Sequence, residues 1–466
     1  MALVQKRSLL AANFQLHGGR RLSCGEVLMR FCNIVLIATS LLYGVTGAVL
    51  AQAPDYLSYA KEITNAQAGG EKPLQADVSD LKPGQSIERR LAENQSHFYG
   101  FTLSEGQYLH ITVDQKDADV EIQLSNPAGQ VIGCINWEHQ DSTESMWASA
   151  EAPGNYQVKI ITGPASGGGS YVVTLDKVGV LQNAPKQDQD YVKAYRLFWE
   201  ACKLRDQGGS ALHQAAVKFE EDLLLWRALE DKIGEAFTLH ELGFALNQLG
   251  EIEHGLEAYS QSLQIWRSST DHALDEANSL YNMGSIYAGS GRTTEAIDCY
   301  NKIMELRHDP GGRAYAFTNL GQVYINLGEF QSALKSHEEA LRLRRTTRDI
   351  EGQARSLSNI SGVYFSLGEF QEALNYCLLA LPLRRAAGDH RGEAITLSNI
   401  GSNYRELGEW QKAFEYSQQA LSNLLAIGDG TTHAAVLQAV GRDYYDLGEY
   451  PKRLRITSNR FRKGER

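Results

Sequence analysis

Six cysteines in 466 residues form neither a CxxC pair nor any metal-ligand spacing, which excludes a zinc ribbon and a CxxC redox motif and reads as scattered single thiols. Positive charge is also short. Lys and Arg number 45 against 56 Asp and Glu, for a net charge of -11, so no broad basic face is available to neutralise phosphates, and nucleic acid is set aside as a partner. Catalytic patterns are missing as well. His240-Glu241 has no second histidine at the HExxH spacing, there is no GxSxG elbow, and GSIYAGSGRTT at 284–294 places Ser290 where a phosphate loop needs lysine. His254 and His337 sit among polar neighbours and are expected to be exposed and not ligating. No cofactor, no metal and no enzyme activity are expected.

Long apolar runs are nearly absent too, with one exception. Ile34–Leu50 is uncharged, follows Arg20, Arg21 and Arg30, and precedes the small residues Ala51 and Ala53. That reads as an export signal over residues 1–51, cleaved after Ala51, with Met29 as an alternative start. The competing reading is an uncleaved membrane anchor over 34–50, though 17 residues containing Gly44 and Gly47 are short for a span. The expected location is periplasmic, cell-surface or extracellular, with a membrane contact only if the leader is retained.

After a linker at 52–73, residues 74–179 alternate polar and apolar in short runs such as HFYGFTL, QYLHITVD and YQVKIIT, separated by turn clusters such as EGQ and APGN. This predicts an all-β sandwich. The segment resembles the pre-peptidase C-terminal-like domain, a sandwich appended to many exported bacterial proteins, at Gly84, Gly106, Asp119 and the Gly154-Asn155-Tyr156 turn. Asp117, Asp119 and Glu121 could suggest calcium, but alternate acids at a strand start are expected to form a solvated face. Residues 180–190, with Pro185, read as a second linker.

From 191 to 450 one unit recurs. Glycines at 250, 291, 328, 368, 408 and 448 are separated by 41, 37, 40, 40 and 40 residues, the mark of a stacked array of about six helical hairpins plus a truncated last one. In TNLGQVYINLGEFQSALKSHEEALRL, Leu320, Val323, Tyr324 and Leu327 make one helical stripe, Gly328 the turn, and Phe330, Ala333, Leu334, Ala340 and Leu341 the next stripe. Small residues pair across each hairpin as Gly284 with Ala296, Gly321 with Ala333, Ser361 with Ala373 and Gly401 with Ala413. Asp231, Asp271, Asp309, Asp349, Asp389 and Asp429 are expected to cap the following first helix. Cys299 and Cys377 lie two units apart, too far to bridge.

Leu320, Gly321, Tyr324, Gly328, Ala333 and Ala340, and likewise Ile400, Gly401, Tyr404, Gly408, Ala413 and Ala420, resemble the tetratricopeptide repeat in its 40-residue, kinesin-light-chain-like form. The resemblance implies an all-α right-handed superhelical solenoid of helix-turn-helix repeats whose first helices line a concave groove. Asn282, Asn319, Asn359 and Asn399 share one first-helix position, with Gln322 and Asn326, and Ser402 and Glu406, three and seven residues further on. An amide offers one donor side and one acceptor side, so such a ladder could hold the main chain of an extended peptide. Equally, these asparagines could bond to neighbouring helices. Asn282, Asn319, Gln322, Asn326, Asn359, Asn399 and Ser402 are the candidate peptide-binding residues; Glu241 and Ala439 break the ladder at its ends.

After Gly448 the pattern stops. Arg453 takes the small-alanine slot, and a basic tail at 451–466 replaces the second helix. Leader, sandwich and repeats in this order resemble the front half of bacterial proteins that end in a CHAT domain, a caspase-like peptidase module with no counterpart here. The expected function is an exported protein–protein interaction scaffold binding a protein or an extended peptide. The alternatives are a recognition fragment of a CHAT peptidase system and an adhesion or glycan-binding protein acting through the sandwich.

Overall fold

The computed structural model describes residues 78–427 except 93–94, 138–141, 163–167 and 270–271, together with Val436 and Arg442. The leader, the 52–73 segment, Asp271, Asp429, Ala439, Gly448 and the basic tail lie outside the described residues.

Alternating side chains build the first half. Strands β1 (Val78–Asp80), β2 (Ser86–Ala92), β3 (Ser96–Leu103), β4 (Gln107–Gln115), β5 (Val120–Ser125), β6 (Val131–Ile135), β7 (Thr143–Ser149), β8 (Gly154–Thr162) and β9 (Gly168–Val180) form two sheets. Their orders are β1-β3-β8-β5-β6 and β2-β9-β4-β7, antiparallel except for β1 beside β3. Leu109, Ile111 and Val113 from β4 meet Tyr156, Val158 and Ile160 from β8 in a core from which water is excluded. Strand β5 departs from simple alternation, because Glu121 and Gln123 are buried along with Val120, Ile122 and Leu124.

Helices follow a short turn at Leu181–Asn183. They are α1 (Lys186–Gln207), α2 (Ala211–Ala228), α3 (Lys232–Gln248), α4 (Ile252–Ser268), α5 (Ala273–Gly289), α6 (Thr293–Leu306), α7 (Pro310–Asn326), α8 (Phe330–Thr346), α9 (Ile350–Ser366), α10 (Phe370–Ala386), α11 (His390–Glu406) and α12 (Trp410–Ile427). Residues 186–190, read from the sequence as linker, are the first turn of α1.

Local chemistry sets each hairpin. Gly328 takes φ +76°, and the amide of Glu329 reaches back to the Tyr324 carbonyl at 2.8 Å, closing the helix end as Gly250, Gly291, Gly368 and Gly408 do in their units. The aspartates cap as expected. Asp231, Asp309, Asp349 and Asp389 accept hydrogen bonds from the amides of Gly234, Gly312, Gly352 and Gly392 at 2.9, 2.6, 2.8 and 2.7 Å. Those four glycines have a second duty, since a Cβ there would strike Trp226, Arg307, Arg344 and Arg384 respectively.

Within a hairpin the small first-helix residue faces the side chain four places after the paired alanine. A Cβ on Gly321 would collide with the His337 ring, and Gly284 lies against Tyr300. His337 therefore corrects the expectation of exposure: it is fully buried, and neither ring nitrogen has a hydrogen-bond partner among the described residues. His254 is exposed, as expected, beside Glu251 at 3.1 Å.

The sandwich is packed onto the first hairpin. Trp137, just after β6, stacks on Tyr195 of α1 and Phe237 of α3 with centroids 5.1 and 5.4 Å away, and meets Phe198 and Trp226 edge-on. Trp147 of β7 stacks on Tyr191 at 5.2 Å. Buried Asp188 at the start of α1 accepts hydrogen bonds from the Tyr108 hydroxyl at 2.9 Å and from Lys177 at 3.0 Å. Aromatic area and a buried, paired carboxylate join the two parts.

Candidate functional site

Successive first helices α1, α3, α5 and α7 contact one another directly, and no two successive second helices approach as closely. This part of the array therefore curves with its first helices inward, and the asparagine column is carried by the first helices α5, α7, α9 and α11.

The column divides into two halves. On α5, the side-chain N–H of Asn282 donates to His240 Nε2 on α3 at 3.2 Å, and the amide also lies within reach of the Tyr259 hydroxyl. His240 Nδ1 meets the Ser279 hydroxyl at 3.1 Å. With Nε2 accepting, Nδ1 carries the proton, so the ring is held neutral. Burial pushes its pKa down to about 4, with Asp275 opposing and Arg205 reinforcing the shift. On α7, Asn319 is within reach of Tyr281 on α5 and donates to its own helix at the Tyr315 carbonyl, 2.9 Å away. Both amides are spent on packing.

Asn359 and Asn399 differ. Asn359 is half-buried and Asn399 exposed, and neither side chain hydrogen-bonds a described residue. The cause is the residue before each asparagine one unit earlier. His240 and Tyr281 are long enough to reach the next helix, whereas Thr318 and Ser358 turn back to the Ala314 and Ala354 carbonyls of their own helices.

Other candidates fall in place around this split. Gln322 donates to Asn326 at 3.2 Å, so these two satisfy each other in part. Ser402 bonds the Ser398 carbonyl at 3.1 Å. Glu241, which breaks the ladder, is bound by Arg205 of α1, whose guanidinium also lies 5.8 Å from the Phe244 ring. Sequence reasoning missed Tyr315, Arg355 and Ile395, four residues before Asn319, Asn359 and Asn399. Tyr315 and Ile395 are 40% and 41% exposed, and Arg355 pairs with Glu351 at 2.7 Å. The column spacing alone could have found them.

Reactive chemistry is not assembled among the described residues. The four described cysteines are free, and burial raises the thiols of Cys299 and Cys377 to about 11, opposite to what a nucleophile needs. No three or more metal-ligating side chains cluster among the described residues. The acidic trio in the sandwich is divided: Asp117 accepts from the Ser170 amide, while Glu121 accepts from Gln123 at 2.6 Å and from the Cys134 thiol at 3.1 Å. Glu121 is buried, which corrects the expected solvated face.

The sequence profile of the tetratricopeptide repeat family matches residues 234–309, 275–346, 312–386, 352–426 and 393–452. The helical array is a tetratricopeptide repeat domain. The match starts at 234, so the α1–α2 hairpin lies before it. Among curated relatives, the chain is 27% identical over 117 residues to a photosystem I assembly protein Ycf3 of Prochlorococcus marinus, covering 25% of this chain and 64% of that protein. Among solved structures, the apo form of RapI aligns with a TM-score of 0.45 and 18% identity over 58% of this chain and 75% of its own. A putative kinesin light chain from Podosopora anserina with nearly identical repeats gives 0.34 and 17%, over 39% and 90%. Tetratricopeptide arrays are protein–protein interaction scaffolds, which sets the class of function for this groove.

Proposed function

We propose that the chain is an exported scaffold, without catalytic activity of its own, that holds an extended peptide or an extended segment of a partner protein along the inner face of its tetratricopeptide repeats. One observation carries this reading: on the first helices α9 and α11, Asn359 and Asn399 make no side-chain hydrogen bond to a described residue, while their counterparts Asn282 and Asn319 are tied into the array. Each free amide can give one hydrogen bond to a peptide carbonyl and take one from a peptide N–H. Export rests on the Arg-flanked apolar run at 34–50.

Pull-down with the full chain, repeated with Asn359 and Asn399 both changed to Ala, tests the groove. A partner lost in the double variant supports it, and a partner retained at full affinity contradicts it. Fractionation with N-terminal sequencing tests export; a mature chain beginning at Gln52 outside the cytoplasm is the expected result.

A further inference from the structure

Strands β1 and β2 are each the edge strand of their sheet, and between them the sandwich carries a polar cluster where facing sheets ordinarily meet through apolar side chains. Register places it. Arg89 stands opposite Tyr171 in the β2–β9 ladder and Ser79 opposite Tyr99 in the β1–β3 ladder, with His97 two residues before Tyr99, so all five share the inner faces. The buried Tyr99 and Tyr171 hydroxyls are 2.6 Å apart, and the Tyr171 hydroxyl meets His97 Nδ1 at 2.7 Å. Those three groups are joined to one another, and Arg89 is left to itself. Its guanidinium reaches across to the other sheet, donating to the Ser79 hydroxyl at 2.5 Å and lying 5.6 Å from the Tyr99 ring centroid. It pairs with no carboxylate among the described residues, whereas the similarly buried Arg205 and Arg384 pair with Glu241 and Asp389. Of the five N–H donors in its planar fork, one is spent. An unpaired cation turned toward a sheet interior costs free energy, which the tyrosine ring and the hydroxyl offset only in part. Its field reaches His97, whose pKa is held below the ordinary value by burial and then by Arg89.

We infer that this edge of the sandwich is a binding site for a small carboxylate, held by the Arg89 guanidinium between β1 and β2. The inference concerns the sandwich alone and does not depend on the groove. A carboxylate is the ligand because its two oxygens match the guanidinium fork in a bidentate pair and supply the counter-charge that the fold does not. Ser79, Arg89 and His97 are all partly exposed, so the fork is reached from solvent without opening the core. A small molecule is the occupant because facing sheets stand about 10 Å apart, which admits a carboxylate and its first carbons but no folded segment. The chain as a whole, at a net charge of -11, exerts no general pull on anions. Binding here is therefore a property of Arg89 and its surroundings.

The test uses the full chain with sodium acetate as probe, sodium chloride at equal ionic strength as control and sodium phosphate as the competing oxyanion. Saturation-transfer NMR on the acetate methyl signal and the melting temperature are the two readouts. Acetate should bind saturably and raise the melting temperature beyond the chloride control. Affinity should fall at least tenfold in Arg89→Met, whose melting temperature without acetate should hold or rise because an unpaired cation is removed. Arg89→Lys, which keeps the charge and loses the fork, should bind at least threefold more weakly than wild type, and it decides the matter if the methionine variant folds poorly. Acetate affinity equal in all three chains, or no saturable binding to wild type, overturns the inference. So does phosphate binding more tightly than acetate, which would make the site one for a tetrahedral anion.

Discussion

Asn282 on α5 gives a side-chain hydrogen to the unprotonated Nε2 of His240 on α3 at 3.2 Å. That bond ties one repeat to the next, and Asn359 and Asn399 further along the array make no such bond to a described residue. Removing the Asn282 amide leaves a buried ring nitrogen unpaired, so Asn282→Ala should cost about 1–3 kcal/mol of stability. Asn359→Ala and Asn399→Ala should stay within about 0.5 kcal/mol of wild type. Urea unfolding of the three variants measures the difference.

Stability should decline on both sides of a maximum near slightly acidic pH. Burial lowers the pKa of His240 and His337 to about 4, so the folded chain resists protonation that the unfolded chain accepts near 6.5, and stability is lost as pH falls through that window. Buried Asp222, held by Trp226 at 2.8 Å and Thr238 at 3.0 Å, has its pKa raised to about 8 by burial. Its stabilisation is complete below about 3.8 and is lost as pH rises toward 8. Asp222→Asn should flatten the alkaline limb and His337→Tyr should reduce the acid limb, both read from melting temperature against pH. Tyrosine suits the second site because Gly284 already accommodates Tyr300 in the same geometry.

Glycine-to-alanine changes should diverge by position. Gly392→Ala places a methyl against Asp389 and Arg384 and disrupts the cap, costing about 1–2 kcal/mol. Gly362→Ala meets nothing and should stabilise by about 0.5–1 kcal/mol. Thermal melts of the pair give opposite signs.

The sandwich and the first repeats should unfold together, because Trp137 contacts four aromatic rings of α1, α2 and α3. Trp137→Ala should remove about 3–5 kcal/mol. It should also separate the transition seen by far-ultraviolet helix signal from that of the sandwich; a single unshifted transition would show that the interface contributes little.

The 40-residue period, the turn glycines and the aspartate caps were legible because each acts within a few residues of itself. The glycine three residues after each capping aspartate was equally visible at 234, 312, 352 and 392, but its reason lies in Trp226, Arg344 and Arg384 on the preceding helix. Exposure of His337 could not be judged from polar neighbours in sequence. Its place four residues after Ala333, the line that also holds Tyr259, Tyr300, Cys377 and Ser417, puts it at the helix crossing. The asparagine column was legible as a column but not as two halves, since the division depends on whether His240 or Tyr281 reaches across to the next helix. Docking of the sandwich is long-range and leaves one local sign, the aromatic stripe Tyr191, Tyr195 and Phe198 on α1.

The central claim is that the inner face at α9 and α11 binds an extended peptide through amides the fold does not need. The direct measurement is the dissociation constant of a captured peptide for the Asn359→Ala/Asn399→Ala double variant, taken beside its melting temperature. At least a tenfold loss of affinity with an unchanged melting temperature is predicted. Unchanged affinity, or a loss that only follows a fall in melting temperature, would contradict it.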